Sequence, residues 1–168
     1  MGNDGHAAIG RDALLMLGDE ELLRHCRVER CRGTGPGGQS RNKTESAVVI
    51  THLASGIAGA SDLTRSQHSN RLLALRHLRL QLALQWREPE PKPWPHPWCP
   101  GERDPLFAGW VARVLDVLEV QGYRVSEAAA FFAQSTGRFT RDLSGNRQLW
   151  QAVNAGRRRF NLPLLRVN

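Results

Sequence analysis

The stretch from residue 88 to 105, "EPEPKPWPHPWCPGERDP", carries seven of the chain's nine prolines, at Pro89, Pro91, Pro93, Pro95, Pro97, Pro100 and Pro105. Proline lacks the backbone N–H that helix and sheet ladders need, and its ring fixes φ, so this stretch is neither helix nor central strand. It must be largely extended. The 168-residue chain is therefore expected to fold in two parts, residues 1–87 and 106–168, joined by a Pro/Trp-rich linker at 88–105. Trp94 and Trp98 give that linker apolar surface to lay along a neighbour, a simpler role for them than base stacking.

The first part reads as mixed structure. Residues Ile9 to Leu17 suit a short helix, and Asp19 offers an N-cap for "DEELLRHC". "CRVERCR" alternates like a half-exposed strand, "SAVVITHL" is a β-branched run suited to a central strand, and "IAGAS" follows a turn as its partner. Thr64 or Ser66 can cap a long helix from about Ser66 to Arg87, along which Leu72, Leu75, Leu78, Leu82 and Trp86 form an apolar stripe. The expected fold class is α+β, a small antiparallel or mixed sheet packed on a long helix.

Beyond the prolines everything reads helical, an all-α C-terminal module. Phe107, Trp110, Val111, Val114, Val117 and Leu118 share one face, and Leu149, Val153 and Phe160 line up on the last helix. "SEAAAFFAQSTGRFTRDL" has the form of a helix-turn-helix whose second helix carries Arg138 and Arg141. Plain helical packing and nucleic-acid contact both remain open for it.

The formal charge is +7: residues 1–87 hold twelve Lys/Arg against eight acids (+4), and residues 88–168 eleven against eight (+3). One cluster, with Arg24, Arg27, Arg30, Arg32, Arg41 and Lys43, surrounds a glycine-rich loop. Another, with Arg138, Arg141, Arg147, Arg157, Arg158, Arg159 and Arg166, crowds the C-terminal end. Such clusters are often a solvated face, but two of them suit RNA. Three sparse cysteines, no secretory leader and no apolar run of spanning length predict a cytoplasmic protein without membrane attachment. Cys26 and Cys31, with His25 nearby, lack a second ligand pair, so no metal and no cofactor are expected.

The loop is "GTGPGGQS", residues 33–40. Read loosely it fits two phosphate-binding patterns, and both fail. A dinucleotide fold needs a buried apolar strand before the glycines, where this chain has the charged "RVERCR". A P-loop needs Lys where Gln39 stands. What remains is Gly37-Gly38-Gln39 on a basic surface. In register with Asn42, Thr44, Ser46-Ala47-Val48, Thr51-His52, Gly56 and Arg65-Ser66-Gln67 followed by Asn70, it resembles the class I peptide chain release factors and their codon-independent relatives, which rescue stalled ribosomes by hydrolysing peptidyl-tRNA.

The resemblance covers roughly residues 26–84 and implies that residues 1–87 form a catalytic domain with a protruding Gly-Gly-Gln loop. It implies Gly37, Gly38 and Gln39 as catalytic residues, and peptidyl-tRNA and the rRNA of the large ribosomal subunit as partners of a monomer. The RNA contacts would come from Arg32, Arg41, Asn42, Lys43, Arg65, Ser66, Gln67 and Asn70, with Arg138, Arg141, Arg157, Arg158 and Arg159 added from the helical module. Ser66, Gln67 and Asn70 could equally just cap and decorate a helix start, and His52 reads as a strand residue with a satisfied imidazole.

The chain also departs from the family. Only about thirty residues precede the loop, too few for a stop-codon-reading domain, so stop-codon specificity is not expected. "GRRRFNLPLLRVN" is basic but shorter than the tail that rescue hydrolases place in the mRNA channel. Arg41 stands where relatives have a small apolar residue, and Val49 replaces a common Arg. The expected function is codon-independent peptidyl-tRNA hydrolysis. The alternative is a non-catalytic ribosome- or RNA-binding factor that keeps the fold, and a weaker third reading makes the C-terminal helices a DNA-binding module.

Overall fold

The computed structural model describes residues 9–31 and 46–166, which fall into two compact units divided after Gln85. In the first, two short helices, α1 (Arg11–Met16) and α2 (Asp19–Arg24), precede the strands β1 (Cys26–Cys31), β2 (Ala47–His52) and β3 (Ala58–Ser61), and the long helix α3 (Gln67–Gln85) follows. The three strands form one antiparallel sheet in the order β1-β2-β3. Val48 and Ile50 of β2 are buried, and so are Ala74, Leu75, Leu78, Leu82 and Ala83 of α3, which packs on β2 and β3. Leu14, Leu15 and Leu22 from the short helices extend this core.

The helix–sheet contact is close because β3 contains Gly59. A Cβ at that position would stand 2.2 Å from the Leu78 backbone N and 2.4 Å from the Ala74 carbonyl oxygen. Only hydrogen fits there, so the α3 backbone rides directly on the strand. Asp19 is not the cap of α2 but its first helical residue, after Gly18. Its carboxylate accepts from Arg79 Nη1 at 2.7 Å, while Arg79 Nη2 donates to the Leu17 carbonyl, joining α3 to the start of α2.

β1 lies at the sheet edge, and from Arg27 to Cys31 it is exposed throughout. Arg27, Glu29 and Arg30 put charge along it, a common guard against pairing with another chain. The register sets Val28 opposite Ile50 and ends at Cys31 opposite Ala47.

The second unit holds α4 (Phe107–Val120), α5 (Val125–Phe131), α6 (Thr136–Ser144) and α7 (Arg147–Arg159). Ten residues of α4 are buried, including Ala108, Ala112, Leu115 and Asp116 outside the expected stripe, so α4 is enclosed on most of its circumference. The proline-rich stretch lies against this unit. Glu88 N donates to the buried Asp116 carboxylate at 3.1 Å, the Trp94 ring sits over Gly109, and Trp94 Nε1 donates to the Trp98 carbonyl. Ser135 caps α6 and Asn146 caps α7, and Ser126 lies inside α5.

After α4 the chain turns through two residues of positive φ, Gly122 at 57° and Tyr123 at 59°. A tyrosine pays about 1–2 kcal/mol for that conformation. It is held there because its ring fills the space beside Gly156 of α7, where a Cβ would come within 2.0 Å of it.

Candidate functional site

Gly37, Gly38 and Gln39 belong to the connection between β1 and β2 and, with Arg32, Arg41, Asn42 and Lys43, lie outside the described residues. What the structure describes is the base of that connection, built from β1, β2 and the start of α3. Ser66 caps α3 by accepting from Ser69 N at 3.2 Å, and the Thr64 hydroxyl accepts from Ser66 N at 3.1 Å. One turn on, the Asn70 side chain is fully buried. Its Nδ2 donates to the carbonyls of Ser46 at 2.7 Å and Thr64 at 2.8 Å. Its Oδ1 accepts from Thr64 N at 2.9 Å and from the Thr64 hydroxyl at 3.1 Å, with Ser61 Oγ more distant at 3.4 Å.

This corrects the expectation that Asn70 contacts RNA. Its amide is used up inside the protein and offers no surface. Arg65 and Ser66 are exposed beside it, and Gln67 is half-buried.

No protein-borne acid, base or nucleophile is assembled among the described residues. His52 is 3% exposed, and its Nδ1 accepts from Ser55 N and meets the Ser55 hydroxyl at 2.8 Å. Burial, and then the neighbouring His25, push its pKa below the ordinary value. The sign follows: an unfolded chain takes up a proton as pH falls through about 6.5 and the folded one does so only at lower pH, so acid removes stability. The first unit is expected to lose a few degrees of melting temperature between pH 7.5 and 5.5, and His52→Gln should flatten that dependence in a pH series of thermal melts.

Burial pushes the Cys26 thiol up to about 11, with Arg79 opposing, and pushes Cys99 up to about 12, with Asp142 adding to it. Both stay protonated at neutral pH and are poor nucleophiles. Among the described residues, no three His, Cys, Asp or Glu side chains converge as metal ligands.

The C-terminal arginines separate into two kinds. Arg157 is spent on the fold, donating from Nη1 to the Tyr123 carbonyl and from Nε to the Pro163 carbonyl, each at 2.7 Å. Arg159 pairs with the Glu119 carboxylate, and its guanidinium lies over the rings of Tyr123 and Phe160. These two were expected to contact RNA, and the structure gives them intramolecular partners that sequence could not show. Arg138 and Arg141 on α6, and Arg147 and Arg158 on α7, are exposed and make no ion pair among the described residues. They face away from the buried Phe139, Leu143, Leu149 and Val153 of the same helices.

Residues 22–93 match the family model described as "RF-1 domain". That segment belongs to the class I release-factor-like family. The chain is 50% identical over 70 residues to a peptide chain release factor homolog of Escherichia coli, covering 42% of this chain and 34% of that protein. It is 52% identical over 66 residues to peptide chain release factor 2 of Paramagnetospirillum magneticum, covering 38% of this chain and 18% of that protein. Peptide chain release factor 1 of Acidiphilium cryptum is 52% identical over 61 residues, covering 36% of this chain and 17% of that one. The shared stretch thus spans about a third or less of each of these relatives. No solved structure matches the chain significantly.

Within this release-factor-like unit, sequence reasoning missed Gly59. A glycine inside "IAGAS" signals a close approach to a strand, but what approaches is visible only once α3 is placed. No described helix is long and apolar enough to cross a membrane.

Proposed function

We propose that the chain is a codon-independent peptidyl-tRNA hydrolase, releasing nascent peptides on the ribosome or its large subunit in the cytoplasm. The observation that carries this reading is the release-factor-like family of residues 22–93, with Gly37-Gly38-Gln39 on its β1–β2 connection. The substrate is the ester between the peptide and the tRNA ribose. Water attacks its carbonyl carbon, a tetrahedral oxyanion forms, and collapse expels the ribose oxygen, which leaves as a hydroxyl. Gly37 and Gly38 allow close backbone approach, and the Gln39 N–H donates to the oxyanion. The Gln39 side chain positions water and excludes larger nucleophiles. Glutamine has no useful pKa, so proton transfer falls to the ribosome and the tRNA ribose.

The test is peptide release by purified protein, run side by side on 70S complexes lacking an A-site codon and on large subunits bearing peptidyl-tRNA. Release from either supports the reading, and release from neither removes it.

In this reading Arg138, Arg141 and Arg158 bind RNA phosphates by charge. Replacing Arg141 and Arg158 together by alanine should weaken ribosome binding and lower the slope of log affinity against log salt by about 1 per arginine. Binding titrations at several salt concentrations would show this.

One observation favours a second reading, a non-catalytic ribosome-binding factor. Val49 lies in β2 opposite Glu29 and Ala60, so the cation common in relatives is missing from that face of the sheet. Ribosome binding that is salt-sensitive but indifferent to Gln39, with no release, would select it.

A further inference from the structure

Among the described residues, Asn70 is the one fully buried polar side chain that reaches the base of the β1–β2 connection. Ser46, whose carbonyl it holds at 2.7 Å, is the first described residue after that connection and stands seven positions beyond Gln39. The other end of the connection leaves from β1, an exposed edge strand. A placement set by the core must therefore come through β2 and its attachment to α3.

The amide is well suited to this. Its two N–H groups meet two carbonyls, Ser46 and Thr64, and its oxygen meets the Thr64 N–H. Turned over, it would set its oxygen against both carbonyls and its NH₂ against a donor, so one orientation alone is satisfiable. Asn70 sits in the first turn of α3, the helix whose Ala74, Leu75 and Leu78 form the core with β2 and β3. The clamp thus joins the long helix packed on β2 and β3 to the foot of the loop. A hydrolytic group must be held within about 0.5 Å of its working position, and a displacement of about 1 Å costs on the order of 100-fold in rate.

We propose that Asn70 is a positioning residue for hydrolysis, fixing the C-terminal foot of the connection that carries Gly37-Gly38-Gln39. The proposal rests on the hydrolase reading above, and the experiment separates the two. Asn70→Ala removes the whole clamp. Asn70→Asp keeps the acceptor for Thr64 N and loses both donors. Leu72→Ala, at an exposed position of α3 outside the clamp, serves as the control. Each full-length variant is checked for folding by circular dichroism at the assay temperature, and having two Asn70 variants guards against one failing to fold.

In the release assay, the Asn70 variants are expected to lower kcat by about 10- to 100-fold. The ribosome concentration giving half-maximal rate should stay within about twofold, and Leu72→Ala should match the parent. The opposite split, kcat intact and half-saturation raised tenfold or more, would restore the RNA-contact role and overturn the proposal. A second readout needs no activity. Hydrogen exchange over residues 44–50 should quicken at least about tenfold in the Asn70 variants, with residues 72–85 unchanged. Unchanged exchange at 44–50 would overturn the clamp whatever the rates. Should the parent protein release no peptide while exchange quickens as stated, the hydrolase reading fails and Asn70 stands as a structural clamp only, which overturns its assignment to hydrolysis.

Discussion

Gly59→Ala is expected to destabilise the release-factor-like unit by about 3 kcal/mol or more. The added methyl would lie 2.2 Å from Leu78 N, 2.4 Å from the Ala74 oxygen and 2.7 Å from Leu78 Cα, all backbone atoms. No rotamer change relieves a backbone clash, so α3 must lift from β3 by roughly an ångström. The lift would reach the core between α3 and β2, where Val48, Ile50, Ala74, Leu75 and Leu78 are all buried. Overpacking of this kind costs about 1–3 kcal/mol and sometimes more, and a displaced helix puts the upper end in play. For a domain of this size each kcal/mol moves the melting temperature by about 4–8 °C, so a fall of 12 °C or more is expected.

Gly56→Ala is the control. Gly56 has φ of 70° and nothing within 4 Å, so its replacement pays only the conformational cost of about 1–2 kcal/mol. Gly59→Ala should melt below Gly56→Ala by at least about 4 °C. Equal melts would mean that α3 and β3 are not in backbone contact.

The same contact explains what could and could not be read along α3. Its span and the apolar line through Leu75, Leu78 and Leu82 follow from helical periodicity. Leu72, assigned to that line, is 47% exposed, and Ala74 takes the buried place instead. The small residue is needed where the helix meets Gly59, a demand that arises only from the packed pair. In β1, alternation gave the strand but not its position, because a charged, alternating segment suits an edge and a half-covered strand alike.

Arg157, Arg158 and Arg159 look equivalent in "GRRRF", yet helical geometry and the αL turn at Tyr123 send two of them to intramolecular partners and one to solvent. Asn70 is the same lesson for the site. Its type and place near a helix start suggest a surface role, and only the return of β2 beside α3 turns it inward. Phe160, aligned with Leu149 and Val153 in sequence, is 42% exposed, because the buried line ends at Gly156 to admit the Tyr123 ring.

The largest functional effect is expected from Gln39→Pro. If the Gln39 backbone N–H donates to the oxyanion, proline abolishes that donor, and losing one such donor costs about 2.7–4 kcal/mol, or roughly 100- to 1,000-fold in rate. Gln39→Ala keeps the N–H and removes only the side chain, so its loss of water-dependent release should be smaller. Its selectivity should change more: with the amide gone, small alcohols or amines added to the assay compete better with water for the ester. Gly38→Ala tests the remaining premise, that the backbone needs conformations or an approach closed to a Cβ, and should fall toward the proline variant. Single-turnover release at saturating ribosome, with binding measured in parallel, separates these from affinity effects. The ordering is what decides. Proline and alanine at Gln39 equally inactive would move the essential contact from the backbone to the side-chain amide. All three variants matching an active parent would place the chemistry elsewhere in the protein, whereas a parent that binds ribosomes and releases nothing would leave the ribosome-binding reading in its stead.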